Sequence, residues 1–202
     1  MIGQKRIKER IHHMSDVGLF PKVTILYGAK GSGKHLMVDY ISKLLGCVKY
    51  ECGKSIEEVR AIQALAPKLS QDVLIVVYDA DDMSVQAQNS FLKLTEEPPK
   101  NIYVILTIKN SESLLHTLHT RGSVLLMDKY SMNEIGRYSE KYKEDDNKHT
   151  YEMLCTTPSE VDTLHNYGVE DFCNYVQKVI DNIATTSGAN AISRSEERRV
   201  GK

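Results

Sequence analysis

The loop Gly28-Ala-Lys-Gly-Ser-Gly-Lys34-His35 constrains this chain more than any other feature. The pattern G-x-x-x-x-G-K-[ST] uses glycines so that backbone N–H groups can close around phosphate oxygens. It uses Lys to reach the terminal phosphates and a Ser/Thr hydroxyl to hold Mg²⁺. Gly28, Gly33 and Lys34 are in place, Lys30, Gly31 and Ser32 complete the turn, and His35 stands where the hydroxyl belongs. Such a loop works at a strand-to-helix turn, because the helix N-terminus adds partial positive charge to the loop amides. The flanks supply both elements. Apolar Val23–Tyr27 reads as a buried strand, and Leu36, Met37, Tyr40, Ile41, Leu44 and Leu45 recur at helical spacing until Gly46.

The rest of the chain extends this unit. Further strands are expected over 47–51, 73–78, 102–107 and 124–127, and helices over 34–45, 56–65 and 85–95. The runs at 23, 73 and 102 are apolar almost throughout, as strands covered on both faces must be. Ala87, Phe91 and Leu94 share one face of the third helix, and Glu96-Glu-Pro-Pro99 stops it because Pro cannot continue the ladder. Alternating strands and helices predict an α/β fold with a mainly parallel sheet. After residue 128 strand signals vanish. Segments 132–142, 151–155, 158–167 and 169–184 read as short helices, separated by a polar loop over 141–149. Thr157 reads as a cap with Pro158 at the first helical position.

Composition excludes several classes. No apolar run reaches the roughly 20 residues that span a membrane, and the N-terminus is polar, so a cytoplasmic protein is expected. Four scattered cysteines, Cys47, Cys52, Cys155 and Cys173, suit a reduced compartment. Residues 194–202 resemble the in-frame translation of a common sequencing adapter and are set aside from the fold. They carry four of the 26 basic and two of the 27 acidic residues, so the remainder has a net charge of −3. That balance gives no global electrostatic case for nucleic-acid binding. Lys5, Arg6, Lys8 and Arg10 on an N-terminal helix read as a solvated face.

Three motifs resemble the bacterial clamp-loader ATPases of the AAA+ class, notably the delta-prime and gamma/tau subunits of DNA polymerase III. They are Val76-Val-Tyr-Asp-Ala-Asp-Asp-Met83, Gln86-Ala-Gln-Asn-Ser-Phe-Leu-Lys93 and Glu96-Glu-Pro-Pro99. Leu114-Leu-His-Thr-Leu-His-Thr-Arg-Gly122 is similar to that family's Leu-Leu-Pro-Thr-Ile-x-Ser-Arg-Cys, and Met1-Ile-Gly-Gln-Lys5 to its opening. The resemblance covers roughly residues 1–184. It implies a P-loop AAA+ three-layer fold: a five-stranded parallel sheet in a nucleotide-binding domain over 1–128, then a helical lid over 129–184. Residues 185–193 would begin a collar domain. It further implies ATP as ligand, and as partners the other subunits of a hetero-oligomeric ring, the sliding clamp and primed DNA.

The departures from that family point to weak hydrolysis. Aligned on Ala80-Asp81-x-Met83, Tyr78 takes the place of the family's metal-binding Asp and Asp79 that of its catalytic Glu. Shifted by one, Asp79 becomes the metal Asp and Ala80 replaces the Glu. Either register lacks one acid, and His35 removes the hydroxyl. No metal ligand is therefore assigned, an impaired Mg²⁺ site is expected, and phosphoryl transfer depends on Mg²⁺. Thr107 and Lys109 are the candidates for the family's first sensor, and no second-sensor arginine lies near Pro158–Val161. Arg121 is expected to be an arginine finger reaching a neighbour's ATP. Cys47 and Cys52 stand alone between loop and acidic strand, so the family's four-cysteine zinc module is not expected. The implied function is a delta-prime-type subunit with a degenerate site. The alternatives are an active gamma/tau-type motor or, in another class, a helicase loader or non-replicative switch.

Overall fold

The computed structural model describes residues 2–142 and 147–183. Five strands form one all-parallel sheet: β1 Val23–Tyr27, β2 Val48–Glu51, β3 Val73–Val77, β4 Ile102–Ile108 and β5 Ser123–Leu126, in the order β2-β3-β4-β1-β5. The register sets Leu26 beside Thr107 and Leu125, and Val77 beside Leu106. Strands β1, β3 and β4 are buried along nearly their whole length, whereas all four residues of edge strand β2 are exposed.

Side-chain alternation splits the interior into two layers. Ile25, Ile75, Val77, Val104 and Leu106 face α3 (Ile56–Leu65) and α4 (Val85–Glu96), where Val59, Ile62, Ala87 and Phe91 are fully or almost fully buried. Leu26, Leu74, Val76 and Ile105 face α1 (Lys5–Asp16) and α2 (Lys34–Leu45), through Ile11, Met37 and Ile41. Each such side chain contributes about 1.5–3 kcal/mol by leaving water. The one-turn helix α5 (His116–His119) precedes β5.

A separate small core holds the helices after the sheet: α6 (Met132–Ser139), α7 (Lys148–Leu154), α8 (Pro158–Tyr167) and a further helical stretch over 169–183. Ile135, Tyr151, Val161 and Leu164 fill it. Thr157 caps α8 reciprocally with Glu160, and Ser131 does the same for α6 with Glu134. Two details differ from the sequence reading. Helix α6 ends at Ser139 rather than 142, and α7 begins at Lys148, inside the segment read as a polar loop. Tyr151, fully buried, anchors α7 where hydropathy gives only one strong signal. Residues 184–202, including the expected collar start and adapter-like tail, lie outside the described residues, as do 143–146.

The N-terminus is bound to the connection between sheet and helices. The buried Gln4 side chain donates to the Asp128 carbonyl and accepts from the Asp128 N–H, each at 2.8 Å.

Candidate functional site

The phosphate-loop sequence closes the carboxyl end of β1. Gly28 N–H donates to the Ile108 carbonyl at 3.1 Å, continuing the β1–β4 ladder. Gly31 has φ +79°, a left-handed conformation that suits only a residue without Cβ. Gly33 caps α2 without a side chain, so the first-turn N–H groups face the loop. The Ser32 hydroxyl is buried and has no hydrogen-bond partner. A Cβ on Gly28 would lie 2.8 Å from it, which places that oxygen inside the loop. Lys34 is 5% exposed, and its Nζ donates to the Gly28 and Ala29 carbonyls at 2.8 and 3.0 Å. Burial pushes the Lys34 ammonium below its ordinary pKa, while the Asp79 and Asp81 carboxylates pull the other way. Lys30 is exposed.

The two substituted positions meet. His35, on the first turn of α2, stacks on Tyr78, just after β3, with ring centroids 3.9 Å apart and planes 11° from parallel. Lys49 Nζ lies 6.0 Å from the Tyr78 ring centroid and is held by Asp39 at 2.6 Å and Glu51 at 3.4 Å. Burial raises the Tyr78 pKa, opposed by Lys49.

Beside the stack, the acidic turn is ordered by its own hydrogen bonds. Asp79 has φ +47°, and its N–H donates to the hydroxyl of fully buried Thr107 at 2.9 Å. A non-Gly residue held there marks a constrained backbone. Asp81 Oδ2 accepts from the N–H groups of Lys109 (3.2 Å) and Asn110 (2.9 Å), so it braces the β4 exit loop, while its buried Oδ1 has no partner. Lys109, which also lines the cleft beside the loop, pairs with Asp82 at 2.9 Å, and that hydrogen bond holds the Asp82 carboxyl below the usual range.

The helical module touches the loop directly. A Cβ on Gly31 would meet Ser159 Cβ at 2.5 Å and Thr157 Oγ1 at 2.9 Å, and the Tyr130 hydroxyl donates to the Ser32 carbonyl at 2.9 Å. A cleft of about 800 Å³ opens between them, lined by Tyr27, Gly28, Ser32, Met127, Tyr130 and Thr157 among others.

Arg121 lies elsewhere. Ser123 pairs with Thr24 at the amino end of β1, so Arg121 sits at the opposite end of the sheet from the loop. Its guanidinium donates to the Thr117 carbonyl at 2.8 Å and pairs with Glu96 at 2.6 Å.

A nucleotide fits this loop better than a magnesium ion does. The glycine cradle, the unpartnered Ser32 hydroxyl and Lys34 suit phosphate oxygens. The pair at 35 and 78 presents two ring faces in contact, where Mg²⁺ demands oxygen ligands in octahedral array. Among the described residues no group of three or more His, Cys, Asp or Glu could hold a metal ion. Cys47 and Cys52 are separate, buried free thiols.

This arrangement of sheet, loop and helices recurs in solved structures. A Thermotoga maritima RuvB Holliday junction branch migration motor is similar with a TM-score of 0.64 and 17% identity. The match covers 87% of this chain and 64% of that one. A katanin structure, concerned with katanin self-assembly, is similar with a TM-score of 0.66 and 18% identity, over 82% of this chain and 68% of that one. The fold is that of the AAA+ P-loop ATPases. Residues 53–131 match the family described as DNA polymerase III, delta subunit. The comparison with curated proteins found no match. The chain spans 64% of the length of the RuvB motor. No helix among the described residues is long and apolar enough to cross a membrane.

Sequence reasoning named His35 and Tyr78 as separate departures and gave no sign that their rings touch. It also missed the contact of Thr157 and Ser159 with Gly31 and the bracing role of Asp81. Thr157 was legible only as a helix cap, since a cap signal carries no information on what the capped end faces.

Proposed function

We propose that this chain is a clamp-loader subunit of the delta-prime type. Its own site holds nucleotide without turning it over, and Arg121 serves the ATP of a neighbouring subunit. The observation that carries this reading is the match of residues 53–131 to the DNA polymerase III delta-subunit family, a stretch that contains β3, the acidic turn, α4, Glu96–Pro99 and Arg121. The partners are then the other subunits of a ring, the sliding clamp and primed DNA.

The geometry supports both halves. Mg²⁺ would neutralise charge developing on a transferred phosphoryl group. The residues at 35 and 78 do not fit it, so Lys34, the loop amides and Ser32 are left to bind and orient phosphates. The placing of Tyr78 against His35 favours the register with Asp79 at the catalytic-acid position. Arg121 stands about 16 Å from the loop by strand length alone, too far for its own site. A planar, permanently charged fork at that edge suits a γ-phosphate presented by a neighbour. To act there it exchanges Glu96 for the phosphate.

The test is the complex assembled with subunits from the same source. With Arg121→Ala, turnover at the neighbouring site should fall by about 10³-fold or more, as for other arginine fingers. Unchanged turnover overturns the role of Arg121. Turnover by this chain alone at the rate of the complex overturns the claim of a non-hydrolysing site.

A further inference from the structure

Resting on the reading that the loop holds nucleotide, we infer that it takes a nucleoside diphosphate without a divalent cation. In a phosphate loop the cation lies between the hydroxyl after the Lys and a carboxylate at the end of a nearby strand. Here those places belong to His35 and Tyr78, whose ring centroids are 3.9 Å apart in near-parallel planes. Two rings in contact leave no room for an ion whose oxygens each lie about 2.1 Å away. A cation is also already fixed beside the stack. Lys49 Nζ is 6.0 Å from the Tyr78 centroid and pairs with Asp39 and Glu51, so those two carboxylates are already engaged.

The phosphates must therefore find their partners in the loop. Ser32 offers a hydroxyl that is 4% exposed, lies inside the turn and has no partner. Lys34 Nζ rests on the Gly28 and Ala29 carbonyls and has a third donor to give. The twelve-residue helix α2 points its open amides at the same place. This set suits two phosphates. A third would extend toward the acidic turn, which begins at Asp79, one residue after the Tyr78 ring stacked on His35. Without a bridging cation the Asp79 carboxylate repels the extra phosphate, and the diphosphate is preferred.

Calorimetric titration of the chain with ADP and with ATP, each in excess EDTA and in excess Mg²⁺, tests this. The ADP dissociation constant should agree within about a factor of two between the two conditions, and ATP in EDTA should bind about tenfold more weakly than ADP. The double variant His35→Thr, Tyr78→Asp restores a hydroxyl and a carboxylate, and there Mg²⁺ should tighten ATP by about tenfold. If Mg²⁺ tightens ADP tenfold in the unsubstituted chain, or ATP matches ADP in EDTA, the inference is overturned while the nucleotide-holding reading stands. If neither nucleotide binds under any condition, both are overturned.

Discussion

Placing a methyl group on Gly31 tests the contact between loop and helical module. In Gly31→Ala the new Cβ would sit 2.5 Å from Ser159 Cβ and 2.9 Å from Thr157 Oγ1. Ser159 Cβ is fixed to the backbone of α8, so no rotamer relieves the clash. An ordinary carbon contact of about 3.5 Å requires α8 or the loop to retreat by about 1 Å. The left-handed backbone at φ +79° adds about 1–2 kcal/mol for a residue with a Cβ. Overpacking adds about 1–3 kcal/mol, and lost freedom of the unfolded chain returns about 0.4–1 kcal/mol. The net loss is about 2–4 kcal/mol, or about 1 M in urea midpoint for a domain of this size. Gly46 supplies the control: its φ is +65°, and a Cβ there would meet nothing within 4 Å, so Gly46→Ala isolates the backbone cost. That variant should lose only about 0.5–1 kcal/mol. Urea unfolding followed by circular dichroism gives both numbers, and amide exchange at Glu160 and Val161 reports displacement of α8. Equal losses for the two variants would refute the packing of α8 against the loop.

Two further outcomes follow from the electrostatics. Burial pushes the Cys52 and Cys155 thiols up to about 11 and raises Cys47 as well, whereas Cys173 is exposed. Of the four thiols, only Cys173 should react rapidly with a thiol reagent in the native protein, and fast reaction of a second one would contradict the buried placement. Asp162 accepts hydrogen bonds from Tyr138 (2.9 Å), Lys141 (2.6 Å) and Tyr142 (3.0 Å), which outweigh burial and hold its carboxyl below its ordinary value of 3.8. A lowered acid stabilises the fold above its unfolded pKa and loses that contribution as pH falls through the folded value. Asp162→Asn should therefore cost about 1 kcal/mol near neutral pH, discounted for solvent screening. The gap in urea midpoint between variant and parent should close below pH 3.8, and a gap independent of pH would refute it.

The parallel sheet was legible because burial on both faces leaves little choice of residue. Val73–Val77 and Ile102–Ile108 are apolar in nearly every position, and they emerge as the covered strands. The edges are less distinct: β2 is exposed throughout, and only the alternation of elements marks Val48–Glu51 as a strand. Helix α8, behind Thr157-Pro158, has sequence bounds that match the structure. Helix α7 is different, since Asn147 supplies no side-chain cap and its buried face is short. Pairings across the fold left no mark in the sequence. Arg121 and Glu96 are 25 residues apart, and their ion pair depends on where α4 ends relative to β5.

The stack of His35 on Tyr78 turns two departures into one feature. Read separately, each weakens a metal site by one ligand, and a site with five good ligands could still hold an ion. In contact, each ring fills the space the other would need to yield. A hydroxyl restored at 35 alone would still face the Tyr78 ring. A carboxylate restored at 78 alone would still face the His35 ring. Groups that share one space do not contribute additively. On the proposed reading the pair closes the cation position as a unit and leaves Ser32, Lys34 and the glycine turn to hold phosphate. That separation, with Arg121 at the far end of the same sheet, is what a subunit needs if it is to keep a nucleotide in place and lend its chemistry to a neighbour.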